Sequence, residues 1–258
     1  MVSRTLPSRP PAPPRWPHLV WALCTVARSG STWLADLVSS TRQLGDPQEY
    51  LLDWRRQLAS HLPPNASLSD YLQLLMPQHT SPNGVFAVNG SLAELVPWLE
   101  LFPAAPCVWL SRRNKCAQAV SWYRAHCGGR WSRLVETSAA TSHLPPLDYS
   151  TPRLLWFYDE ILRREAAWQH WFTARRTQPL CLIYEEVCDD PDGAVRAIAQ
   201  FVGIDPDSLG PLTSLRQIVR DELSDAWVTR LTEEVAQRSS APASPASANE
   251  EPPLWYNS

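Results

Sequence analysis

Ala27-Arg28-Ser29-Gly30-Ser31-Thr32-Trp33-Leu34 lies where an apolar, strand-like run gives way to an amphipathic helix, and the reading of this junction decides the fold. The residues leading into it, 19 to 27 (LVWALCTVA), are short, apolar and rich in β-branched and aromatic types, as a buried parallel strand requires. Beyond it, Trp33, Leu34, Leu37 and Val38 fall three and four apart, so one face packs on a sheet while Asp36 and Ser40 face elsewhere. Gly30 lets the backbone turn tightly, which leaves the first N–H groups of the helix without internal partners and aimed at any anion in front of them. Ser31 and Thr32 add hydroxyl donors, and Arg28 adds a fixed charge. A short Ser/Gly loop between strand and helix is also a common plain connection, and these residues alone leave both readings open.

The loop differs from the common nucleotide triphosphate loop G-x-x-x-x-G-K-[ST], which places a Lys on the outer phosphates. Here it is shorter, and its cation precedes the glycine. Residues 107 to 123 (CVWLSRRNKCAQAVSWY) repeat the architecture. Residues 107 to 110 read as a second buried strand, Asn114 suits an N-cap, and Ala117, Val120 and Ser121 share the inner side of the next helix. Arg112 then stands at a strand's carboxyl end with Ser121 projecting from the following helix, both toward the crevice where open parallel sheets bind ligands. An Arg fork and a hydroxyl there can grip a second phosphate. The bland alternative is a solvated charged turn.

Arg28-Ser29-Gly30-Ser31-Thr32-Trp33 resembles the 5′-phosphosulfate loop of sulfotransferases that use 3′-phosphoadenosine 5′-phosphosulfate (PAPS). Together the two blocks resemble the trehalose 2-sulfotransferase type, the Stf0 family, over roughly residues 18 to 235. Four further segments carry the likeness. Gly45-Asp46-Pro47-Gln48-Glu49-Tyr50 is similar to G-x-P-x-E-[YF], and Asn83-Gly84-Val85-Phe86 to the start of the next strand. Ile183-Tyr184-Glu185-Glu186-Val187 is similar to [VI]-x-Y-E-[DE]-L, and Arg216-Gln217 with Ser224-Asp225-Ala226-Trp227 to R-Q…S-x-x-W.

The alternation of expected strands and helices implies an α/β fold with a parallel sheet flanked by helices, and length and composition favour a single domain. The resemblance implies a P-loop-like sulfotransferase fold. It implies transfer of a sulfuryl group from PAPS, as co-substrate and without a metal, to a hydroxyl of a carbohydrate, glycolipid or small metabolite. Arg28, Ser29, Gly30, Ser31 and Thr32 would hold the 5′-phosphosulfate, Arg112 and Ser121 the 3′-phosphate, and Tyr184 would lie near the nucleotide. Glu49 would be the general base, with Arg28 its catalytic partner. A turn at Asp46-Pro47, after a first helix expected to end near Gly45, would bring Glu49 back over the loop. One departure stands out. Where the family carries a Lys shortly after N-G-V-[FW], this chain has Asn89. Either Arg28, Arg113 or Lys115 supplies the charge, or the enzyme is slow, or the fold binds nucleotide without turnover. A catalytically silent scaffold is therefore the rival reading. A P-loop kinase ranks below it, because the chain contains no Gly-Lys-Ser/Thr.

Composition agrees with one enzyme domain. The chain has 258 residues and a formal net charge of −3, which argues against wholesale nucleic-acid binding. Residues 1–17, with six prolines, and 238–258 read as disordered flanks around a domain at 18–237. No apolar run reaches the length of a membrane span. Arg4, Arg9 and Arg15 before the run at 18–27 resemble a signal peptide, but cleavage there would remove the strand that positions the loop. The six cysteines have no zinc spacing, and Cys24, Cys107 and Cys181 fall in expected buried strands, which suits a reducing cytoplasm. The histidines, among them His61, His79 and His143, receive no chemistry. Strands are expected near 19–27, 84–88, 106–111 and 179–184, and helices near 31–43, 67–76, 91–100, 114–125, 152–175, 191–202 and 224–237. In the long helix, Leu155, Tyr158, Leu162, Trp168, Trp171 and Phe172 form a stripe suited to the core or a homodimer face. Residues 126–151 read as a loop beside the crevice, either a lid or a plain connection.

Overall fold

The computed structural model describes residues 16–52, 54, 63, 65–128, 147–214 and 222–240. Strands β1 (Leu19–Thr25), β2 (Val85–Gly90), β3 (Cys107–Ser111) and β4 (Leu180–Ile183) form a parallel sheet in the order β2-β1-β3-β4. The helices are α1 (Ser31–Ser40), α2 (Leu68–His79), α3 (Leu92–Leu101), α4 (Lys115–Gly128), α5 (Thr151–Arg175), α6 (Tyr184–Asp189), α7 (Pro191–Val202) and α8 (Glu222–Ser240).

Alternation along β1 assigns the two faces. Trp21 and Leu23 pack with α1, α6 and α7 through Leu34, Leu37, Val187, Val195 and Ile198. Ala22 and Cys24 pack with α2, α3, α4, α5 and α8 through Met76, Trp98, Val120, Phe157 and Leu231. The helix after β1 therefore covers one face, and the helix after β3 covers the other. The sheet's topological switch point lies between these two adjacent strands, where crevices for ligands open at the carboxyl ends.

Several boundaries differ from the sequence reading. β1 ends at Thr25, and α1 ends at Ser40 rather than near Gly45, because Thr41 turns back onto the last carbonyls and Arg42 takes a positive φ of 58°. The chain then crosses β2 so closely that a Cβ on Gly45 would lie 2.9 Å from the Ala87 amide nitrogen. Trp21 Nε1 fixes this crossing by donating to Leu44 O at 2.9 Å. Helix α6 was not anticipated; it begins at Tyr184, where the strand was expected to end. Cys181 is exposed, because β4 is an edge strand. In α5 the buried line is Leu154, Phe157, Ile161, Trp168 and Phe172, while Leu155 and Tyr158 are half-buried and Leu162 is exposed. Helix α8 runs to Ser240, three residues into the expected tail. The stretches 1–15, 129–146 and 241–258, Arg216, Gln217, His61 and His143 lie outside the described residues. Among the described residues, no helix is long and apolar enough to cross a membrane.

Leu34 joins α1 to the sheet and is fully buried. Leu34→Ala should lower stability by about 2 to 5 kcal/mol in urea unfolding; a loss below about 1 kcal/mol would contradict this packing.

Candidate active site

The turn after β1 is built from two left-handed residues, Arg28 with φ 64° and Gly30 with φ 95°. A non-glycine residue at positive φ is uncommon, so the surroundings must hold Arg28 there. The helical ladder of α1 then begins with Leu34 N donating to Gly30 O at 3.1 Å. Glycine is required at position 30 for a second reason, since a Cβ there would stand 2.2 Å from the Tyr184 ring. Tyr184 is buried, and the Arg112 guanidinium carbon lies 4.9 Å from its ring centroid. The resemblance implied a residue near the nucleotide; the structure packs the ring between the turn and Arg112.

Both arginines reach the switch point. Arg28 Nε donates to Ser121 Oγ at 3.0 Å, and Arg112 Nη1 lies 3.5 Å from Arg28 O. Burial pushes the Arg28 guanidinium below its ordinary range, the Arg112 cation adds to this, and Glu49 and Tyr184 act the other way. Glu185 is 3.8 Å from Arg112 Nε, too far for a hydrogen bond. Its two oxygens accept the backbone amides of Arg113 at 2.8 Å and Asn114 at 3.1 Å. Burial raises the Glu185 pKa, but these amides and the Arg112 charge outweigh it and hold the carboxyl below its usual value. Two hydroxyls complete the cradle. Ser29 Oγ is buried with no hydrogen-bond partner, and Ser121, accepting from Arg28, retains its own O–H for another acceptor. Ser31 is buried at the start of α1 and Thr32 half-buried beside it.

Glu49 is exposed at the mouth, close enough for its charge to favour the Arg28 cation. Its turn is held from both sides. Asn89 N donates to Gln48 O at 3.0 Å, which extends the edge of β2, and Tyr71 OH donates to Tyr50 O at 2.6 Å. Asp46 accepts from Gln48 Nε2 at 2.8 Å and from Tyr50 OH at 2.9 Å. Tyr50 OH also meets His79 Nδ1 at 2.9 Å; since its one proton goes to Asp46, His79 must donate from Nδ1. Burial and the Asp46 charge push the Tyr50 hydroxyl pKa well up, and burial pushes His79 down despite Asp46.

The other cations considered for the missing charge are engaged elsewhere. Arg113 pairs with Glu186 at 2.5 Å, and Lys115 pairs with Glu165 at 2.5 Å while also donating to Arg112 O. Asn89 is buried and accepts from Thr25 Oγ1 at 3.1 Å, tying the ends of β1 and β2 together. Asn114 caps α4 as expected, accepting from Ala117 N at 2.8 Å.

Sequence reasoning missed Gln118. It is fully buried and its Nε2 donates to Ala27 O at 2.9 Å. Its position three residues before Ser121, flanked by two alanines on a helix facing the sheet, was the available signal.

Two glycine substitutions separate backbone strain from contact with Tyr184. Gly203 has φ 83° and open space around its would-be Cβ, so Gly203→Ala should lose about 1 kcal/mol of stability. Gly30→Ala should lose about 1 to 3 kcal/mol more, because the ring must move. Equal losses in urea unfolding would contradict the tight packing of Tyr184.

A family model described as Stf0 sulphotransferase matches residues 99–234. No curated protein matches the chain. Among solved structures, a sulfotransferase from Alicyclobacillus acidocaldarius is 14% identical and aligns over 86% of this chain and 94% of its own, with a TM-score of 0.50. The sulfotransferase domain of the Synechococcus olefin synthase is 17% identical over 87% of this chain and 97% of its own, with a TM-score of 0.44. Mouse sulfotransferase SULT7A1 complexed with PAP is 15% identical over 92% of this chain and 74% of its own, with a TM-score of 0.42. At these identities the structural likeness is one of fold. The family model spans more than half of the 258 residues, and the chain belongs to the Stf0 sulphotransferase family.

Proposed function

We propose that the protein transfers the sulfuryl group of PAPS to a hydroxyl of a small acceptor, a sugar or glycolipid in the first instance, in the cytoplasm. The observation that carries this reading is the meeting of Arg28 and Arg112 across the switch point, with the Ser121 hydroxyl bonded to Arg28. The Arg112 charge lowers the Arg28 pKa, and a ligand with an anionic group toward each arginine offsets that mutual effect. A nucleotide with a 5′-phosphosulfate and a 3′-phosphate has that form. The residues present fit it: Ser29 Oγ is a buried polar atom without a partner, and the turn at Gly30 opens directly into the helix N-terminus.

In this reading Arg28 and the amides of the turn stabilise charge on the oxygen that bridges sulfur and phosphorus. Donors preorganised in this way contribute about 3 kcal/mol each elsewhere. Arg112 and Ser121 hold the 3′-phosphate, and Glu49 accepts the proton of the acceptor hydroxyl as its oxygen bonds to sulfur. The 3′,5′-bisphosphate then leaves. Sulfuryl transfer resembles phosphoryl transfer in relying on in-line positioning more than on covalent chemistry.

The silent scaffold is the second reading, and Asn89 favours it, because a buried amide bonded to Thr25 stands where the resemblance implies a lysine. Calorimetry with adenosine 3′,5′-bisphosphate, followed by labelled PAPS with a panel of sugars, glycolipids and hydroxylated metabolites, separates the two. Binding with transfer supports the enzyme, binding without transfer supports the scaffold, and no binding defeats both.

Glu49→Gln should keep the affinity for adenosine 3′,5′-bisphosphate and lower turnover by about 10² to 10⁴; wild-type turnover would remove Glu49 as the base. Arg112→Ala should weaken adenosine 3′,5′-bisphosphate by roughly tenfold to a hundredfold and leave adenosine 5′-phosphosulfate unchanged. Equal weakening of both nucleotides in the same titration would show that Arg112 does not read the 3′-phosphate.

A further inference from the structure

The backbone carbonyls leaving β1 can be followed one by one. Thr25 O accepts from Trp168 Nε1 of α5 at 3.0 Å. Val26 O accepts from Ser29 N at 3.2 Å, and Gly30 O from Leu34 N at 3.1 Å. Ala27 O accepts from Gln118 Nε2 of α4 at 2.9 Å, and Arg112 Nη1 reaches Arg28 O at 3.5 Å. The donors from Gln118 and Trp168 come from helices on the face opposite α1.

A trans peptide points its C=O and the following N–H in opposite directions. Capture of Ala27 O by α4 therefore turns the Arg28 amide away from α4, to the side on which α1 begins. Capture of Thr25 O by α5 does the same for the Val26 amide. A carbonyl oxygen facing the crevice would repel an anion, and Thr25 O and Ala27 O are drawn off it.

Gln118 is held there at some expense. It is fully buried, and its Oε1 has no hydrogen-bond partner. A buried carboxamide with one end unsatisfied is destabilising in itself, and an apolar residue of the same shape would pack without that penalty. Its N–H end is the part with a role. One turn further along α4, Ser121 takes Arg28 Nε, so a single helix face fixes both the backbone and the side chain of the turn.

We propose that Gln118, supported by Trp168, is a positioning residue that sets the turn for a 5′-anion by drawing its carbonyl oxygens toward the helices behind the sheet. The inference rests on the proposed nucleotide reading, and it assigns the 5′ selectivity of the site to a side chain that touches no ligand.

The test compares adenosine 3′,5′-bisphosphate with adenosine 3′-phosphate, which lacks the 5′-anion, by calorimetry on the full chain. Gln118→Met keeps the length of the side chain and removes the donor. It should weaken the bisphosphate about tenfold and leave adenosine 3′-phosphate unchanged, so that the preference between them shrinks. A merely structural role would weaken both ligands alike. Should Gln118→Met not fold, Trp168→Phe repeats the test at Thr25 O, since a phenyl ring can keep stacking on Phe172, 5.2 Å away in the present pair. A wild-type preference for the bisphosphate that survives in the folded variant overturns the inference alone. A wild type that binds no bisphosphate, or does not prefer it, overturns the nucleotide reading and this inference together.

Discussion

The convergence of two arginines at the tips of neighbouring strands is the constraint on which the rest of the site depends. Arg28 lies within the turn after β1 and Arg112 follows β3, and Arg112 Nη1 lies 3.5 Å from the backbone carbonyl oxygen of Arg28. Burial lowers the Arg28 pKa most, the Arg112 cation adds to this, and Glu49 and Tyr184 act the other way. The proposed anion site rests on this arrangement. The sheet makes it possible. Because α1 covers one face and α4 the other, the crevice between β1 and β3 is open to both arginines at once.

Around this pair, packing replaces mobility. Tyr184 fills the space behind Gly30 and lies against Arg112, so the glycine turn and the second arginine rest on one buried ring. Glu185 steadies the turn after β3 through two backbone amides while remaining 3.8 Å from Arg112 Nε. Among the buried polar atoms without a hydrogen-bond partner, which include Trp98 Nε1 and Trp109 Nε1 elsewhere, Ser29 Oγ and Gln118 Oε1 adjoin the same turn. Buried polar atoms without partners lower stability locally.

Much of this was legible in the sequence, and the reasons are local. β1, the glycine turn and α1 are contiguous, so hydrophobic period and glycine chemistry report them directly. Arg112 and Asn114 were legible for the same reason, as residues at the junction of strand and helix. The parts that escaped depend on distant partners. In α5 the inner face includes the acidic residues Glu160 and Glu165, paired with Arg163, Arg164 and Lys115, and an apolar-stripe reading passes over buried charge. Helix α6 spans only six residues and follows β4 without a break, too short for a helical period to emerge. Cys181 was misplaced because nothing in Leu180–Ile183 announces an edge strand. The hold on the Glu49 turn joins Asp46, Tyr50, Tyr71 and His79, whose contact no spacing rule foretells.

In the proposed reading, one ligand bridges the turn after β1 and the arginine after β3. A crystal structure of the protein with adenosine 3′,5′-bisphosphate tests it most directly. The 5′-phosphate is expected against the amides and hydroxyls of residues 29–32 with Arg28 beside it, and the 3′-phosphate between Arg112 and Ser121. A nucleotide bound with either phosphate away from its cradle, or seated on another edge of the sheet, would contradict it.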